Sequence, residues 1–353
     1  MKGLVLSGGH GVRLRPLTYS QQKQLIPVAN KPILFYCIED LVDAGIRSIG
    51  IIVGPNREQV IETVQSVQWD AEIEFIEQDA PRGLAHAVKI AEPFLGREKF
   101  IMYLGDNLLK GGSAYFTRDF AASDLDASLL LTRVEDPTQY GVALVDEQKK
   151  VITKLVEKPK VPESNLSIVG IYGLTPRIFE AIENIKPSWR GELEITDALH
   201  WLIGQGCSVG YRLVEGWWKD TGKVEDILDA NRLILDSVRP ECLGTVENAT
   251  VKGRVAIGEG SVIASGSVVK GPAIVGRGCR IEGSYIGPYT AVGDGVRIVN
   301  SEIEDSIVME SSSIANAGRI AESLIGKGVS IEKGNGLPSA QRFVLGDSSQ
   351  VML

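Results

Sequence analysis

The fold is decided at the start of the chain by residues 2–13, KGLVLSGGHGVR, where a short apolar run ends in a cluster of glycines. An apolar run of this length, bounded by glycine, is typical of a buried β-strand. Three more runs of strand length follow at residues 48–53, 72–76 and 99–104. Glycines placed directly after a strand let backbone N–H groups approach an anion, so the first strand is expected to lead into a binding loop.

Helical patterns separate these four strands. Pro32 can open a helix that Gly45 can close, and further helices are predicted near residues 56–67 and 83–95. Strands that alternate with helices predict right-handed crossovers and a mostly parallel sheet in an α/β domain. In such sheets ligands bind at the carboxyl ends of the strands. The motifs after residues 6, 76 and 104 are therefore expected at one edge of the sheet.

From residue 245 the pattern changes to aliphatic residues that recur in steps of five or six, often followed by glycine. The aliphatic positions are Val251, Ile257, Ile263, Val269, Val275, Ile281, Ile286, Val292, Ile298, Ile303, Val308, Ile314, Ile320, Ile325 and Ile331. A hexapeptide period of this kind predicts a parallel β-helix, expected to be left-handed, in which each aliphatic side chain points inward.

A chain of 353 residues exceeds the usual size of one domain. The two patterns predict an α/β domain at residues 1–240, a β-helix domain at 245–335 and a tail or cap at 336–353. The composition, 44% hydrophobic and 23% charged, excludes disordered and collagen-like chains. A net charge of −8 argues against nucleic acid as a partner.

The chain also lacks the features of a membrane or secreted protein. No run reaches the ~18 consecutive apolar residues of a membrane span, and the N-terminal apolar run is too short for a signal peptide. The four cysteines match no zinc or redox spacing, which favours reduced thiols in a cytoplasmic protein.

The glycine cluster is followed closely by cations at Arg13, Arg15, Lys23 and Lys31. Its spacing fits neither a dinucleotide-binding fingerprint nor a Walker loop. A glycine-rich surface turn with solvated cations is the alternative interpretation. Backbone N–H groups combined with several fixed positive charges instead favour a site for phosphate groups.

The motifs of residues 1–235 resemble those of the sugar-phosphate nucleotidylyltransferases, in order along the chain. The Lys23-Gln24-Leu25 form is similar to the glucose-1-phosphate thymidylyltransferases in particular, and the β-helix to their long, two-domain branch. The motifs are Gly8-Gly9-x-Gly11-x-Arg13, Gln78 with Pro81-x-Gly83, Gly105-Asp106-Asn107, Tyr140-Gly141, Glu157-Lys158-Pro159, Val169-Gly170, residues 191–197 (GELEITD) and Trp218-x-Asp220-Thr221-Gly222.

The resemblance implies a Rossmann-like domain and the transfer of a deoxythymidylyl group from dTTP to glucose 1-phosphate. The products would be pyrophosphate and dTDP-glucose, for the biosynthesis of activated deoxysugars. The attacking oxygen belongs to the sugar phosphate and is already anionic, so the protein needs no nucleophile of its own. Its task would be to offset the charge of two polyanions in the transition state.

The resemblance also implies a role for each matching residue. Arg13, Lys23 and Lys158 would be catalytic, and magnesium (Mg2+) would be held by Asp106 and Asp220. The nucleotide would contact Gly8, Gly9, Gly11, Arg13, Lys23, Gln24, Gln78 and Gly83. The sugar phosphate would contact Asn107, Gly141, Glu157, Lys158 and Val169.

Two alternatives remain at the sequence level. UTP differs from dTTP in the base by one methyl group, which a hydrophobic pocket discriminates only about 10- to 200-fold, so a UTP- or other triphosphate-dependent enzyme competes with the thymidylyl assignment. A catalytically inactive regulatory homologue is the second alternative.

The β-helix is expected to have no catalytic part of its own. Its sequence lacks the histidine on which acyl-transferring hexapeptide domains depend, because His10, His86 and His200 all precede it. We therefore predict a scaffold, a regulatory element or a surface for a homo-oligomer that is dispensable for the chemistry.

Overall fold

The computed structural model describes residues 1–9, 11–333 and 349, and the chain divides into two compact units. Unit 1 comprises Met1–His10, Gln22–Leu25 and Ile33–Asp220; unit 2 comprises Gly11–Gln21, Ile26–Pro32 and Thr221–Leu353. The linear domain boundaries stay a prediction. His10 and the expected tail at 336–353, except Ser349, lie outside the described residues.

The elements of the structure follow the two sequence patterns. The helices are α1 (Ile33–Asp43), α2 (Arg57–Gln65), α3 (Leu84–Ile90), α4 (Glu92–Leu95), α5 (Ala114–Ala122), α6 (Arg177–Asn184), α7 (Ile195–Gly204) and α8 (Val224–Leu235). The strands up to residue 220 are β1 (Lys2–Ser7), β2 (Pro27–Val28), β3 (Lys31–Pro32), β4 (Ser48–Val53), β5 (Glu72–Glu77), β6 (Phe100–Leu104), β7 (Asn107–Leu109), β8 (Ala127–Arg133), β9 (Gly141–Asp146), β10 (Val151–Glu157), β11 (Leu166–Leu174), β12 (Val209–Leu213) and β13 (Trp218–Asp220). The strands of the C-terminal part are β14 (Glu241–Cys242), β15 (Thr245–Val246), β16 (Thr250–Lys252), β17 (Val255–Ile257), β18 (Val262–Ala264), β19 (Val268–Lys270), β20 (Ala273–Val275), β21 (Arg280–Glu282), β22 (Tyr285–Ile286), β23 (Thr290–Val292), β24 (Arg297–Glu304), β25 (Ile307–Val308), β26 (Ser313–Ala321), β27 (Leu324–Ile325) and β28 (Ser330–Glu332).

Unit 1 is built on a nine-stranded sheet of order β5-β4-β1-β6-β11-β8-β12-β10-β9. The four predicted strands are its parallel half, β5, β4, β1 and β6, and only β10 and β11 run against the other strands. The mostly parallel, Rossmann-like sheet is therefore confirmed.

A hydrophobic core covers each face of this sheet. Along β1, Leu4 and Leu6 belong to one core, which includes side chains of α3, α6 and α7, whereas Val5 belongs to the other, which includes side chains of α1, α2 and α5. Successive side chains of a strand point to opposite faces, so strands buried on both sides read as continuous apolar runs.

The prediction of one helix at residues 83–95 is wrong, because the chain forms α3 and α4 with a break at Ala91. Pro93 lies in the first turn of α4 and has no N–H to continue the hydrogen bonds of α3. Helix α1 begins at Ile33, directly after Pro32, and Gly45 follows its end with a left-handed φ of 88°.

The C-terminal part is a parallel β-helix in which the predicted aliphatic residues stack in three columns. Paired registers align residues 251, 269, 286, 303 and 320 in one column, 257, 275, 292, 308 and 325 in the second, and 263, 281, 298, 314 and 331 in the third. Most of these side chains are buried in one core.

Across residues 1–9 and 11–333, none of the helices combines the length and the apolar character that a membrane span requires.

A ladder of buried serines links consecutive coils of the β-helix. The Ser267 hydroxyl accepts a hydrogen bond from Ser284 N, and the Ser284 hydroxyl accepts one from Ser301 N, each at 3.2 Å. The Ser284 hydroxyl also donates to Glu282 O at 2.7 Å. At the turns, the serine hydroxyls thus accept hydrogen bonds from buried backbone N–H groups that are not paired between strands.

We expect Ser284→Ala to destabilise the β-helix, because the N–H of Ser301 loses its acceptor in a buried position. Leaving one such donor unpaired costs about 1–3 kcal/mol of the free energy of unfolding. Urea denaturation followed by circular dichroism measures it, with the exposed Ser330→Ala as the control. Equal losses in the two variants would show that the ladder does not contribute.

Candidate active site

A two-stranded ribbon places two distant carboxylates side by side in unit 1. Strand β7 pairs with β13 in antiparallel register, with Asn107 opposite Asp220 and Leu109 opposite Trp218. Asp106 immediately precedes β7, just after the end of β6. The ribbon therefore brings the carboxylates of Asp106 and Asp220 to the same place, at the carboxyl end of a parallel strand.

The ammonium group of Lys23 lies between these carboxylates. Its Nζ is 2.5 Å from Asp106 Oδ2 and 3.9 Å from Asp220 Oδ1, and the lysine side chain is only 7% exposed. Burial raises the pKa of Asp106, but the charge of Lys23 and hydrogen bonds from Lys23 and Asn107 outweigh it, so the pKa is lowered. Asp106 is therefore a carboxylate at neutral pH.

Trp218 orients this pair through Asn107. The indole Nε1 donates to Asn107 Oδ1 at 2.6 Å, and Asn107 Nδ2 donates to Asp106 Oδ1 at 2.8 Å. The Trp218 ring also packs edge-on against Tyr140, with ring centroids 5.3 Å apart. Trp218 therefore orients the side-chain amide of Asn107, and that amide in turn orients the carboxylate of Asp106.

The glycine turn after β1 is held by Gln22, which the sequence did not single out. The Gln22 side-chain amide is buried and donates to Ser7 O at 2.8 Å, Gly9 O at 3.0 Å and Gln24 Oε1 at 2.9 Å. The only sequence signal for Gln22 is its position beside Lys23. Because of these bonds, the turn and the Lys23 segment are fixed to each other.

Gln78 follows the end of β5 and lies beside the same glycine turn, which follows the end of β1. Strands β5, β4 and β1 are parallel neighbours, so their carboxyl ends lie at the same edge of the sheet. A Cβ placed on Gly8 would lie 3.0 Å from Gln78 Oε1. The amide Nε2 of Gln78 is 3.1 Å from Nδ1 of His86, so the two side chains are within hydrogen-bond distance. Burial, followed by the charge of Arg82, lowers the pKa of His86 and keeps it neutral. His86 is a second neighbour that sequence reasoning missed.

Gly83 allows a close approach of two backbone segments in this loop. Its φ is 102°, and a Cβ there would lie 2.4 Å from Leu193 O. Ala85 N donates to Leu193 O, and Leu193 N donates to Arg82 O. Only glycine fits this position, which anchors the loop after Gln78 against the segment before α7.

Two of the predicted sugar-binding residues, Gly141 and Glu157, meet where β9 pairs with β10. Glu157 pairs with Gly141, where a Cβ would lie 2.9 Å from Thr196 Cγ2 and 3.2 Å from Glu157 Oε2. Thr196 donates to Glu157 Oε2 at 3.1 Å. Burial, then the charge of Glu194, raises the pKa of Glu157.

Arg190 is the charge that holds this acidic group together. Its guanidinium lies 3.8 Å from Glu157, 3.1 Å from Glu192 and 3.3 Å from the buried Glu194. The motif at residues 191–197 signalled this region, but sequence reasoning assigned it no role. The acidic group around Glu157 therefore includes a partly buried cation, as the carboxylate pair of Asp106 and Asp220 does with Lys23.

Lys158 and Val169, the other predicted sugar-binding residues near β10 and on β11, have different surroundings. Lys158 has a left-handed φ of 40° and donates its backbone N–H to Tyr140 O at 3.1 Å, which connects it to the aromatic pair with Trp218. Val169 is fully buried in the core, so its side chain is packed against apolar neighbours and does not face solvent. The pairing of β11 with β8 shifts register between Ile168 and Tyr172, next to this residue.

Arg13 and Gly11 belong to unit 2. Gly11, with a φ of 59°, begins the short 3₁₀ turn Val12–Leu14, and Thr18 Oγ1 donates to its carbonyl at 2.7 Å. The exposed Arg13 lies over Gly222, where a Cβ would be 2.9 Å from Arg13 Nη2. In the described residues, no group of three or more His, Cys, Asp or Glu side chains is placed to hold a metal ion.

Comparison with known proteins identifies the class of protein. A family model described as "Nucleotidyl transferase" matches residues 2–237, and the chain belongs to this family. It is 48% identical to a glucose-1-phosphate thymidylyltransferase of Streptomyces antibioticus, over 99% of both chains. It is 45% identical to a glucose-1-phosphate thymidylyltransferase of Streptomyces griseus, over 100% of this chain and 99% of that one.

A solved structure supports the same conclusion. The crystal structure of a putative glucose-1-phosphate thymidylyltransferase from Bacillus anthracis, in complex with a sucrose, superimposes with a TM-score of 0.60 and 34% identity. It covers 66% of this chain and 94% of that one. The family resemblance stated from the motifs is confirmed, and the protein is an enzyme of the nucleotidyltransferase class.

We expect Trp218→Phe to lower turnover about tenfold with little loss of stability. Phenylalanine keeps the packing on Tyr140 but removes the donor to Asn107, and a misplaced catalytic group costs up to ~10²-fold in rate. The matched control is Trp69→Phe, which loses a similar indole bond to Val64 O and keeps its contact with Phe35. Equal turnover in the two variants would contradict the role of Trp218.

Proposed function

We propose that the protein transfers a deoxythymidylyl group from dTTP to glucose 1-phosphate and releases pyrophosphate and dTDP-glucose. The observation that carries nucleotidyl transfer is the buried Lys23 ammonium between the carboxylates of Asp106 and Asp220. The choice of dTTP and glucose 1-phosphate is supported by the two Streptomyces relatives and their names, since the alignment spans nearly the whole of each chain.

In this reaction the protein binds, orients and neutralises charge. Lys23 and Arg13 would contact the triphosphate and stabilise the departing pyrophosphate, while Lys158 would hold the phosphate of the sugar. An anionic phosphate oxygen of glucose 1-phosphate attacks the α-phosphorus of dTTP, and the bond from that phosphorus to the bridging oxygen of the departing pyrophosphate breaks, so no proton has to be taken up by the protein. Glu157, in the network of Thr196 and Arg190, would bind sugar hydroxyls.

The donor set at the ribbon fits Mg2+, which we propose as the cofactor. Two carboxylates already face one cationic group, and Mg2+ binds through one or two carboxylates, completing its shell with phosphate oxygens and water. When bound, it would neutralise charge on the transferring phosphate group. Asp106 and Asp220 would hold it, and Lys23 would be available to the triphosphate.

We place the activity in the cytoplasm and expect a homo-oligomer. The four cysteines are free thiols, which suits a reducing compartment. Light scattering of the purified protein tests assembly, and a monomeric mass would contradict it.

We expect Asp106→Asn to lower turnover by about 10²–10³-fold, because it weakens the binding of Mg2+, whose positive charge would stabilise the transition state. It also leaves the buried Lys23 with a weaker partner, so the free energy of unfolding falls by ~1–3 kcal/mol. Pyrophosphate release at varied Mg2+ measures the first effect and thermal unfolding the second. The control is Asp119→Asn, which removes an exposed partner of Arg212. Turnover within twofold of wild type at limiting Mg2+ would exclude the metal role.

Base selection is tested at Gln78, whose amide lies beside the glycine turn. We expect the wild type to prefer dTTP to UTP, and Gln78→Ala to bind the triphosphate more weakly by ~1–3 kcal/mol because polar atoms of the base lose their partner. The affinity for glucose 1-phosphate should not change. His86→Ala separates a base contact from loop stabilisation, because it removes the hydrogen-bond partner of Gln78 and leaves the Gln78 amide in place. A wild type that prefers UTP or purine triphosphates would refute the thymidylyl assignment, and one that turns over no triphosphate would indicate an inactive homologue.

A further inference from the structure

Within unit 2 the loop of residues 11–21 lies directly on the β-helix. A Cβ placed on Gly326 would be only 3.2 Å from Leu17 Cδ2, so the absence of a side chain at 326 leaves room for Leu17. Gly326 follows Ile325, the last member of one aliphatic column. Leu17 begins the second 3₁₀ turn of the loop, Leu17–Tyr19. A coil of the β-helix therefore packs against the loop that carries Arg13.

Helix α8 forms a second connection between the β-helix and Arg13. Gly222, which Arg13 covers, lies just before the start of α8. Towards its other end, Arg232 Nε donates to Asp305 Oδ1 at 2.7 Å and Nη2 bonds the second carboxylate oxygen. Bidentate arginine–carboxylate pairs are among the strongest and most directional side-chain interactions. The helix is thus fastened to a turn of the β-helix.

Asn231 adds a buried bond at the same end of α8. It is 1% exposed, its Nδ2 donates to Tyr289 O at 2.9 Å, and its Oδ1 accepts from Ala29 N at 2.9 Å. The amide of Asn231 is buried and its two partners are partly buried, so a substitution there removes both hydrogen bonds at once. Asn231 therefore fixes the helix to the β-helix and to the hairpin of β2 and β3.

The hairpin itself is also bonded to the β-helix. Its two turn residues, Ala29 and Asn30, have left-handed φ angles of 47° and 62°. Asn30 Nδ2 donates to Val292 O, at 2.6 Å, which also accepts the inter-coil bond from Gly276 N. Alanine is unfavourable in this conformation, and the surrounding bonds maintain it. Three separate segments that precede or include α8 are thus held by one face of the β-helix.

We propose that the β-helix is a positioning element for the nucleotidyl transfer reaction. The coils at Tyr289 and Asp305 hold α8, and the residue before α8 that Arg13 covers is held with it. The coil at Gly326 holds Leu17, which belongs to the same loop as Arg13. Asn231 and Arg232 are positioning residues that touch no substrate. The inference rests on the proposed function, in which Arg13 binds the triphosphate, and it opposes the sequence-based prediction that the β-helix is dispensable for the chemistry.

The test compares two arginines in the full-length protein. Arg232→Ala cuts the bond between α8 and the β-helix, whereas the matched control Arg277→Ala cuts an arginine–aspartate pair with Asp294 inside the β-helix. We expect the KM for dTTP to rise about tenfold in Arg232→Ala only, since a loop displaced by ~1 Å can cost up to 10²-fold. The KM for glucose 1-phosphate should not change, and hydrogen exchange at residues 11–19 should become faster.

A second pair of variants guards against a folding defect in Arg232→Ala. Gly326→Val should push Leu17 and raise the KM for dTTP, and the added substitution Leu17→Ala should restore it to within about threefold by making room. Rescue of the KM, rather than of thermal stability alone, separates positioning from general packing.

Each outcome decides one claim. If Arg232→Ala and Gly326→Val match Arg277→Ala in KM for dTTP and in hydrogen exchange, the positioning role is overturned. If the wild type releases no pyrophosphate from any triphosphate, the proposed function fails, and the exchange rates at residues 11–19 still decide whether the β-helix positions the loop.

Discussion

A charged lysine buried between two carboxylates is the interaction on which the site in unit 1 depends. Lys23 cannot be buried alone, because an unpaired ammonium in a protein interior is strongly destabilising. Its partner Asp106 requires the ribbon of β7 and β13, which in turn aligns Asp220 with Asn107. The ion pair therefore connects the glycine-rich start of the chain to a segment that is two hundred residues distant in sequence.

The same arrangement explains why the site is polar yet well ordered. Its charged groups are joined by hydrogen bonds to amides and aromatic side chains: Asn107 and Trp218 beside Asp106, Gln22 beside the glycine turn, Thr196 beside Glu157. Such networks fix side-chain directions, so that the charges are in place before two polyanionic substrates arrive. Preorganised charge is the form of catalysis that suits a reaction in which the nucleophile is supplied by the substrate.

In unit 2 the β-helix depends on a different constraint, which is the repetition of its turns. Aliphatic columns supply the apolar core, and buried serines satisfy the backbone at corners where strands end. Turn residues such as Tyr289 and Asp305 are not part of this apolar core, and they form hydrogen bonds with α8. A domain with no catalytic motif can in this way still influence a binding loop.

Both architectures could be predicted from the sequence because each depends on local periodicity: strand-length runs between helical patterns, then a repeat of five or six residues. The family could be predicted because its motifs follow one another in order along the chain. The sequence also determined which residue types could serve phosphate chemistry. The hydrogen-bond and ion-pair partners of these residues emerge only from the folded chain. The roles of Gln22, His86, Arg190 and Asn231 could not be predicted, since a side chain's function in a network depends on residues that are distant in sequence. The break at Ala91 is different, because Pro93 signals it locally and the helical pattern alone hid it. The grouping of residues 11–21 with the β-helix depends on contacts between distant parts of the chain, which periodicity does not encode.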